Sequence, residues 1–318
     1  MFARRIATVI CAVLSAAAFA LTASAAADDL KVVVTIKPAH AIVAAVLQGV
    51  ATPELLVDGV ASPHTFAMKP SDARRVNAAH VFIRVSESLE PFTARLARSL
   101  PGSVRVVTLA SVPGLTLHKL RTGGSFEAHA HAEKSHGHGH SHGKSDTDGH
   151  IWLDPENAKL IAKHVAEVLG SLRPADAGRM RSNAEQFAAE VSALSREIEA
   201  RLKPVSGRPY LVFHDAYQYF ERRYGLTPVG SVTVSPEVPP SARRLMELRG
   251  KIASLQAVCI FAEPQFAPKV IETIAEGTTA RKGVLDPLGA AIPAGPGHYA
   301  ALLRALAEDL AGCLANPS

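Results

Sequence analysis

The chain has 318 residues, 47% of them hydrophobic and 20% charged. That suffices for two globular lobes with buried cores. The net charge of +5 comes from basic residues scattered without interleaved aromatics, which excludes a nucleic-acid-binding surface of the usual kind.

The first 27 residues read as an export leader. Arg4 and Arg5 form a positive start, an apolar run follows from Ile6 to about Leu21, and Ala23-Ser24-Ala25 or Ala25-Ala26-Ala27 offers the cleavage site. The run is too short and too interrupted by Ser and Thr for a membrane anchor. No other long apolar stretch occurs, so the mature chain is expected in the periplasm. Cleavage removes Cys11 and leaves Cys259 and Cys313. An even pair in an oxidising compartment is expected to form a disulfide, here pinning the last helix to a strand of the second lobe.

Strand and helix patterns alternate after the leader. Residues 31–36 read as a strand, 38–47 as a helix opened by Pro38, and 55–57 as a strand. A helix over 70–79, a strand over 81–85, a helix over 91–100 and a strand over 104–109 follow. This alternation predicts a mainly parallel sheet with covering helices. From about 117 to 149 the chain is Gly, Ser, His, Lys and Asp, a composition that cannot build a core and predicts a loop. Asp154-Pro155 opens the next helix, to about Ser171. A second helix spans about 175–203, with Phe187, Val191, Leu194, Ile198 and Leu202 on one face. Its length, about 43 Å at the usual rise, suits a strut joining two lobes. The second half repeats the first: strands at 210–213, 229–234, 257–262 and 284–286, and helices at 216–223, 240–252, 266–276 and 297–314. The expected division is a leader over 1–27, an N-terminal lobe over 28–172 with a His-rich loop over 118–149, a linking helix over 173–205, and a C-terminal lobe over 206–318.

Fourteen histidines stand out. His129, His131, His136, His138, His140 and His142 crowd the low-complexity loop, with His118 just outside. Neutral imidazoles at every second residue can gather on one metal ion with little geometric selection, so this tract reads as an accessory, low-affinity metal site. His64, His150 and His214 share another setting, at loops that follow strands or precede helices, where parallel α/β folds place their ligands. Three imidazoles with one oxygen make a sound zinc shell, and Asp286, read as a strand-end residue, can supply the oxygen. His40, His80, His164 and His298 read as helix, loop-end and turn residues, Asp154 as a helix cap, and Glu237 and Glu263 as hydrogen-bond anchors beside prolines.

Ser62-Pro63-His64-Thr65-Phe66 with Lys69-Pro70-Ser71-Asp72, then Asp148-Gly149-His150-Ile151-Trp152-Leu153-Asp154-Pro155, then Phe213-His214-Asp215-Ala216-Tyr217 resemble the three ligand motifs of the ZnuA-like zinc-binding proteins of ABC transporters. Phe261-Ala262-Glu263-Pro264-Gln265, Leu285-Asp286-Pro287-Leu288-Gly289 and the His-rich tract before the second motif also match, so the resemblance spans nearly the whole mature chain. It implies two α/β lobes bridged by a rigid helix, with His64, His150 and His214 as zinc ligands in the cleft. The position of Asp286 is a ligand in some relatives, while others use water or an acidic neighbour of the first histidine. Here that neighbour is Pro63, which shifts weight to Asp286. Manganese-selective relatives carry a carboxylate at the third position, where this chain has His214. A C-lobe disulfide is also common in the family and fits Cys259 and Cys313. The implied partners are a membrane permease and its ATPase, with the binding protein itself a monomer and not an enzyme. No His-Glu-x-x-His motif occurs, which argues against a zinc hydrolase. The alternatives are a manganese or broader divalent-metal binder, or a zinc buffer or adhesin acting without a transporter.

Overall fold

The computed structural model describes residues 30–122, 126, 147–233, 236 and 240–315. The first strand, β1 (Val32–Ile36), leads into α1 (Lys37–Val46), β2 (Glu54–Val57), α2 (Pro70–Asn77), β3 (Val81–Arg84), α3 (Phe92–Ser99) and β4 (Arg105–Thr108). Two long helices follow, α4 (Pro155–Leu172) and α5 (Ala177–Leu202). The second half contains β5 (Tyr210–His214), α6 (Gln218–Tyr224), β6 (Pro228–Thr233), α7 (Ala242–Ser254), β7 (Cys259–Ala262), α8 (Lys269–Ala275), β8 (Arg281–Val284) and α9 (His298–Leu314).

The strands form two four-stranded sheets in the orders β2-β1-β3-β4 and β6-β5-β7-β8, with every pairing parallel. The two orders are equivalent. In each, the chain steps from the first strand to one neighbour and then crosses to the other side. β1 and β5 therefore border the points where strand order reverses, the position at which parallel sheets open a crevice at their carboxyl ends. Both are buried along their whole length, as their largely apolar sequences require when helices cover both faces.

Met180, Ala184, Phe187, Val191, Leu194, Ile198 and Leu202 line the buried face of α5, the stripe its sequence periodicity predicted. This face packs on α4, α9 and α1. One apolar core thus runs from the first sheet through these helices into the second. A smaller, separate cluster, including Leu211, Phe213, Leu248, Ile260 and Ile274, fills the far side of the second sheet beneath α7 and α8. Cys259 in β7 and Cys313 in α9 are joined by the expected disulfide, with Cα atoms 6.2 Å apart.

One element departs from its sequence reading. The last strand was expected over 284–286 and runs instead over Arg281–Val284. β8 pairs only with β7, and its residues are half-buried or exposed, so hydrophobicity does not mark it. Gly283 is needed there because a Cβ would lie 2.6 Å from the Phe261 ring. The apolar Leu285 that suggested a strand is buried just past its end, which leaves Asp286 in the following loop.

Candidate metal centre

Each of the three histidines reaches the cleft from a different kind of position. His214 is the last residue of the buried central strand β5. His150 precedes a 3₁₀ turn, Ile151–Leu153, that leads into α4. Asp154 caps α4 by accepting a hydrogen bond from the Glu156 N–H at 3.0 Å, with Pro155 in the first turn, so the chain direction after His150 is fixed. His64 lies in the turn between β2 and α2 and is half-buried. Its N–H donates to Ser62 Oγ at 3.4 Å.

The structure brings the three together. One ligand atom from each falls within 4.8 Å of the others. Ring centroids lie 5.5 Å apart for His64–His150 and His64–His214, and 5.1 Å apart for His150–His214. The Nε2 atoms of His150 and His214 are 3.3 Å apart. The space they face has a volume of about 10 Å³ and is walled by Pro63, Phe266, Pro287 and Leu288. That is room for a single ion or one water.

Behind two of the imidazoles stand buried carboxylates. Asp148 Oδ1 lies 2.7 Å from His150 Nδ1 and accepts from the His150 N–H at 2.9 Å. Both Glu263 oxygens reach His214 Nδ1, at 2.9 and 2.8 Å. A carboxylate at Nδ1 holds the proton there, orients the ring, and turns the Nε2 lone pair to the centre. Burial alone pulls the His214 pKa down. The charge and hydrogen bonds of Glu263 outweigh it, and the net shift is upward. Gly149 is dictated by packing, since a Cβ there would sit 2.8 Å from Leu89 Cβ.

Asp286 is not drawn into the imidazole group. Its Oδ1 accepts from Gln265 Nε2 at 2.7 Å and from the Leu288 N–H at 3.0 Å, and its Oδ2 accepts from the Ala290 N–H at 2.6 Å. The carboxylate thus braces the 286–290 turn, and Asp286 lies two residues past the end of β8 rather than at a strand end. His129, His131, His136, His138, His140 and His142 lie outside the described residues, as do the leader and Glu237. His40 and His298 are engaged with backbone carbonyls, at Pro53 for the first and at Leu288 and Pro293 for the second. His80 Nδ1 accepts from the Lys31 N–H.

The described ends of the His-rich stretch are stitched together beside the site. Lys119 and Thr147 form an antiparallel bridge, and the Asp148 N–H donates to His118 O at 2.8 Å. Tyr219 Oη links to both strands of this stem, donating to Asp148 O and accepting from the His118 N–H. Arg121 forks onto Asp215 and also pairs with Glu221 at 2.8 Å. Burial pushes the Glu221 carboxyl up to about 7, against the pull of Arg121. Sequence reading gave no role to Asp148, Arg121, Asp215 or Glu221. Asp148, two residues before His150, carried the one local signal.

Comparison with known proteins matches this arrangement to one family. The family model described as "Zinc-uptake complex component A periplasmic" (ZnuA) matches residues 32–313. The chain belongs to the ZnuA family. It is 45% identical over 314 residues to the high-affinity zinc uptake system protein ZnuA of Brucella suis biovar 1, covering 92% of this chain and 94% of that one. It is 39% identical to the protein of the same name from Haemophilus ducreyi, covering 95% and 98%. Among solved structures it is similar to the laminin-binding protein of Streptococcus agalactiae, described as bifunctional with adhesin and metal-transporting activity. That match has a TM-score of 0.74 and 28% identity, and covers 90% of this chain and all of that one. Two α/β lobes joined by a long helix are therefore the family's architecture. Among the described residues, no helix is long and apolar enough to cross a membrane.

Proposed function

We propose that this protein captures a zinc ion between its lobes in the periplasm and hands it to the permease of an ABC transporter, whose ATPase drives uptake. The observation that carries this reading is the convergence of His64, His150 and His214 on a space for one ion, two of them oriented by buried carboxylates. Three neutral imidazoles suit zinc, and a carboxylate-rich shell would suit manganese better. In this reading a solvent oxygen completes the tetrahedron and Asp286 keeps to its turn. The protein binds and releases without turnover, acts as a monomer, and is exported by cleavage of its leader after Ala25 or Ala27. The same reading keeps the lobes at 28–172 and 206–318 with the link at 173–205. The histidines between 129 and 142 serve as an accessory, weaker capture site.

Calorimetric zinc titration of residues 28–318 tests the reading. One tight zinc per chain is expected, retained when residues 127–146 are removed and lost in His64→Ala. Tight binding that survives His64→Ala, or that vanishes with the 127–146 deletion, would place the ion elsewhere.

A further inference from the structure

Lys37 is an unexpected residue for its position. It is the first residue of α1, where the positive end of the helix dipole disfavours a cation. Its side chain is only 8% exposed, and burying an ammonium is costly unless its donors are matched. A residue that local structure disfavours on both counts points to a demand from elsewhere in the fold.

That demand is visible at Nζ, which has three protons to donate and three partners to take them. Asp58 Oδ1 lies at 3.0 Å, the Ala290 carbonyl at 2.8 Å, and the Ile292 carbonyl at 3.2 Å. The partners belong to different lobes. Asp58 immediately follows β2, on the segment that carries His64. Ala290 and Ile292 belong to the C-lobe segment between β8 and α9, which walls the metal centre at Pro287 and Leu288.

The C-lobe segment is braced so that a hold on one part reaches the rest. Asp286 ties the N–H groups of Leu288 and Ala290, and His298 Nε2 meets Leu288 O at 3.0 Å. Gly289 adopts a left-handed φ of +64°, and a Cβ there would press on the His298 ring at 2.8 Å. From the N-lobe, Trp152 Nε1 donates to Pro287 O at 2.9 Å. Lys37 is the second N-lobe anchor on this segment, and it alone of the two also grips the His64 segment.

We propose that Lys37 is a positioning residue for metal retention: its ammonium staples the segment bearing His64 to the C-lobe wall of the cleft and so holds the three imidazoles in their closed arrangement. The proposal rests on the zinc-capture reading, and what it adds is the group that sets how long the ion stays.

The test is zinc calorimetry together with stopped-flow release to a chelator, on the mature chain and on Lys37→Met, Asp58→Asn and the double variant. Lys37→Met should keep one zinc per chain, weaken binding by about tenfold, as losses of groups that orient ligands do, and speed release accordingly. Asp58 is 69% exposed, so Asp58→Asn leaves folding unthreatened; it should weaken binding by about threefold, the scale of a partly exposed ion pair. The double variant should be no worse than Lys37→Met, because both act through one node. Lower thermal stability in Lys37→Met with unchanged affinity and release would make the residue merely structural and overturn the proposal. If Lys37→Met does not fold, an unchanged release rate in Asp58→Asn overturns it, and faster release supports it. A mature chain that binds no zinc would defeat the functional reading instead, which keeps the two failures distinct.

Discussion

His150 and His214 enter the metal centre from buried positions with carboxylates at their backs, whereas His64 arrives on a half-buried turn between β2 and α2. The first pair is set by regular structure: the end of a central strand and the approach to a capped helix. The third is set by a turn and by what that turn touches. On the proposed zinc-capture reading, two imidazoles are oriented by buried carboxylates and the third is held by its turn. The proposed role of Lys37 makes retention depend on what restrains that turn.

The largest effects should fall on the buried pair. His150→Ala or His214→Ala removes a ligand and leaves a buried carboxylate facing a void. Zinc affinity should drop by more than about a hundredfold, beyond the usual reach of a ligand's hydrogen-bond partner, as calorimetry would register. Next come the partners. Asp148→Asn and Glu263→Gln should each weaken binding by about 10- to 100-fold with one zinc still bound per chain. Loss of the contrast between ligand and partner variants would mean that the carboxylates contribute more than orientation.

The pH dependence sharpens the comparison further. His214 has a raised pKa in the folded chain. Its pairing with Glu263 therefore stabilises the metal-free protein fully below the ordinary imidazole value, and that contribution is lost as pH rises through the raised one. Zinc competes with the second imidazole proton, the one on Nε2, so affinity should climb with pH up to the raised value and level off above it. Glu263→Gln should move the climb to lower pH, a shift readable from calorimetry at stepped pH or from imidazole resonances. The smallest effect on binding should come from Asp286→Asn. Weakening the 286–290 turn should lower unfolding stability by about 1 kcal/mol while zinc affinity stays within a few-fold of the parent chain; a loss on the scale of a histidine variant would restore Asp286 as a ligand.

Much of this architecture was legible in the chain itself. The apolar stripe from Phe187 to Leu202 announced α5 because a helix facing a core repeats every three or four residues, and the β-branched run at 31–36 and the apolar run at 210–213 announced strands, though not their central places in the sheets. The edge strand β8 was misplaced because Arg281 and Lys282 carry no apolar signature and Leu285 does. Within the site, the histidines were marked by their motifs, and Asp148 and Glu263 stood in matching motifs, but nothing there told which ring each would orient. Glu263 lies 49 positions from His214, and the spacing of a partner across a sheet leaves no trace in local sequence. The role of Asp286 is illegible for the same reason: nothing in Leu285-Asp286-Pro287 says whether its oxygens turn to a metal or to the backbone N–H groups of its own loop. Arg121 looked like one more polar residue at the margin of a low-complexity tract, though it is half-buried and pairs with the buried Asp215 and Glu221.

The central claim is that one tight zinc sits on His64, His150 and His214. X-ray absorption at the zinc edge, on protein loaded with a single equivalent, tests it most directly. The account predicts three imidazoles and one oxygen at about 2.0–2.1 Å, unchanged when residues 127–146 are deleted and altered in His64→Ala. Four or more imidazoles around the ion, or a spectrum indifferent to His64→Ala, would contradict it.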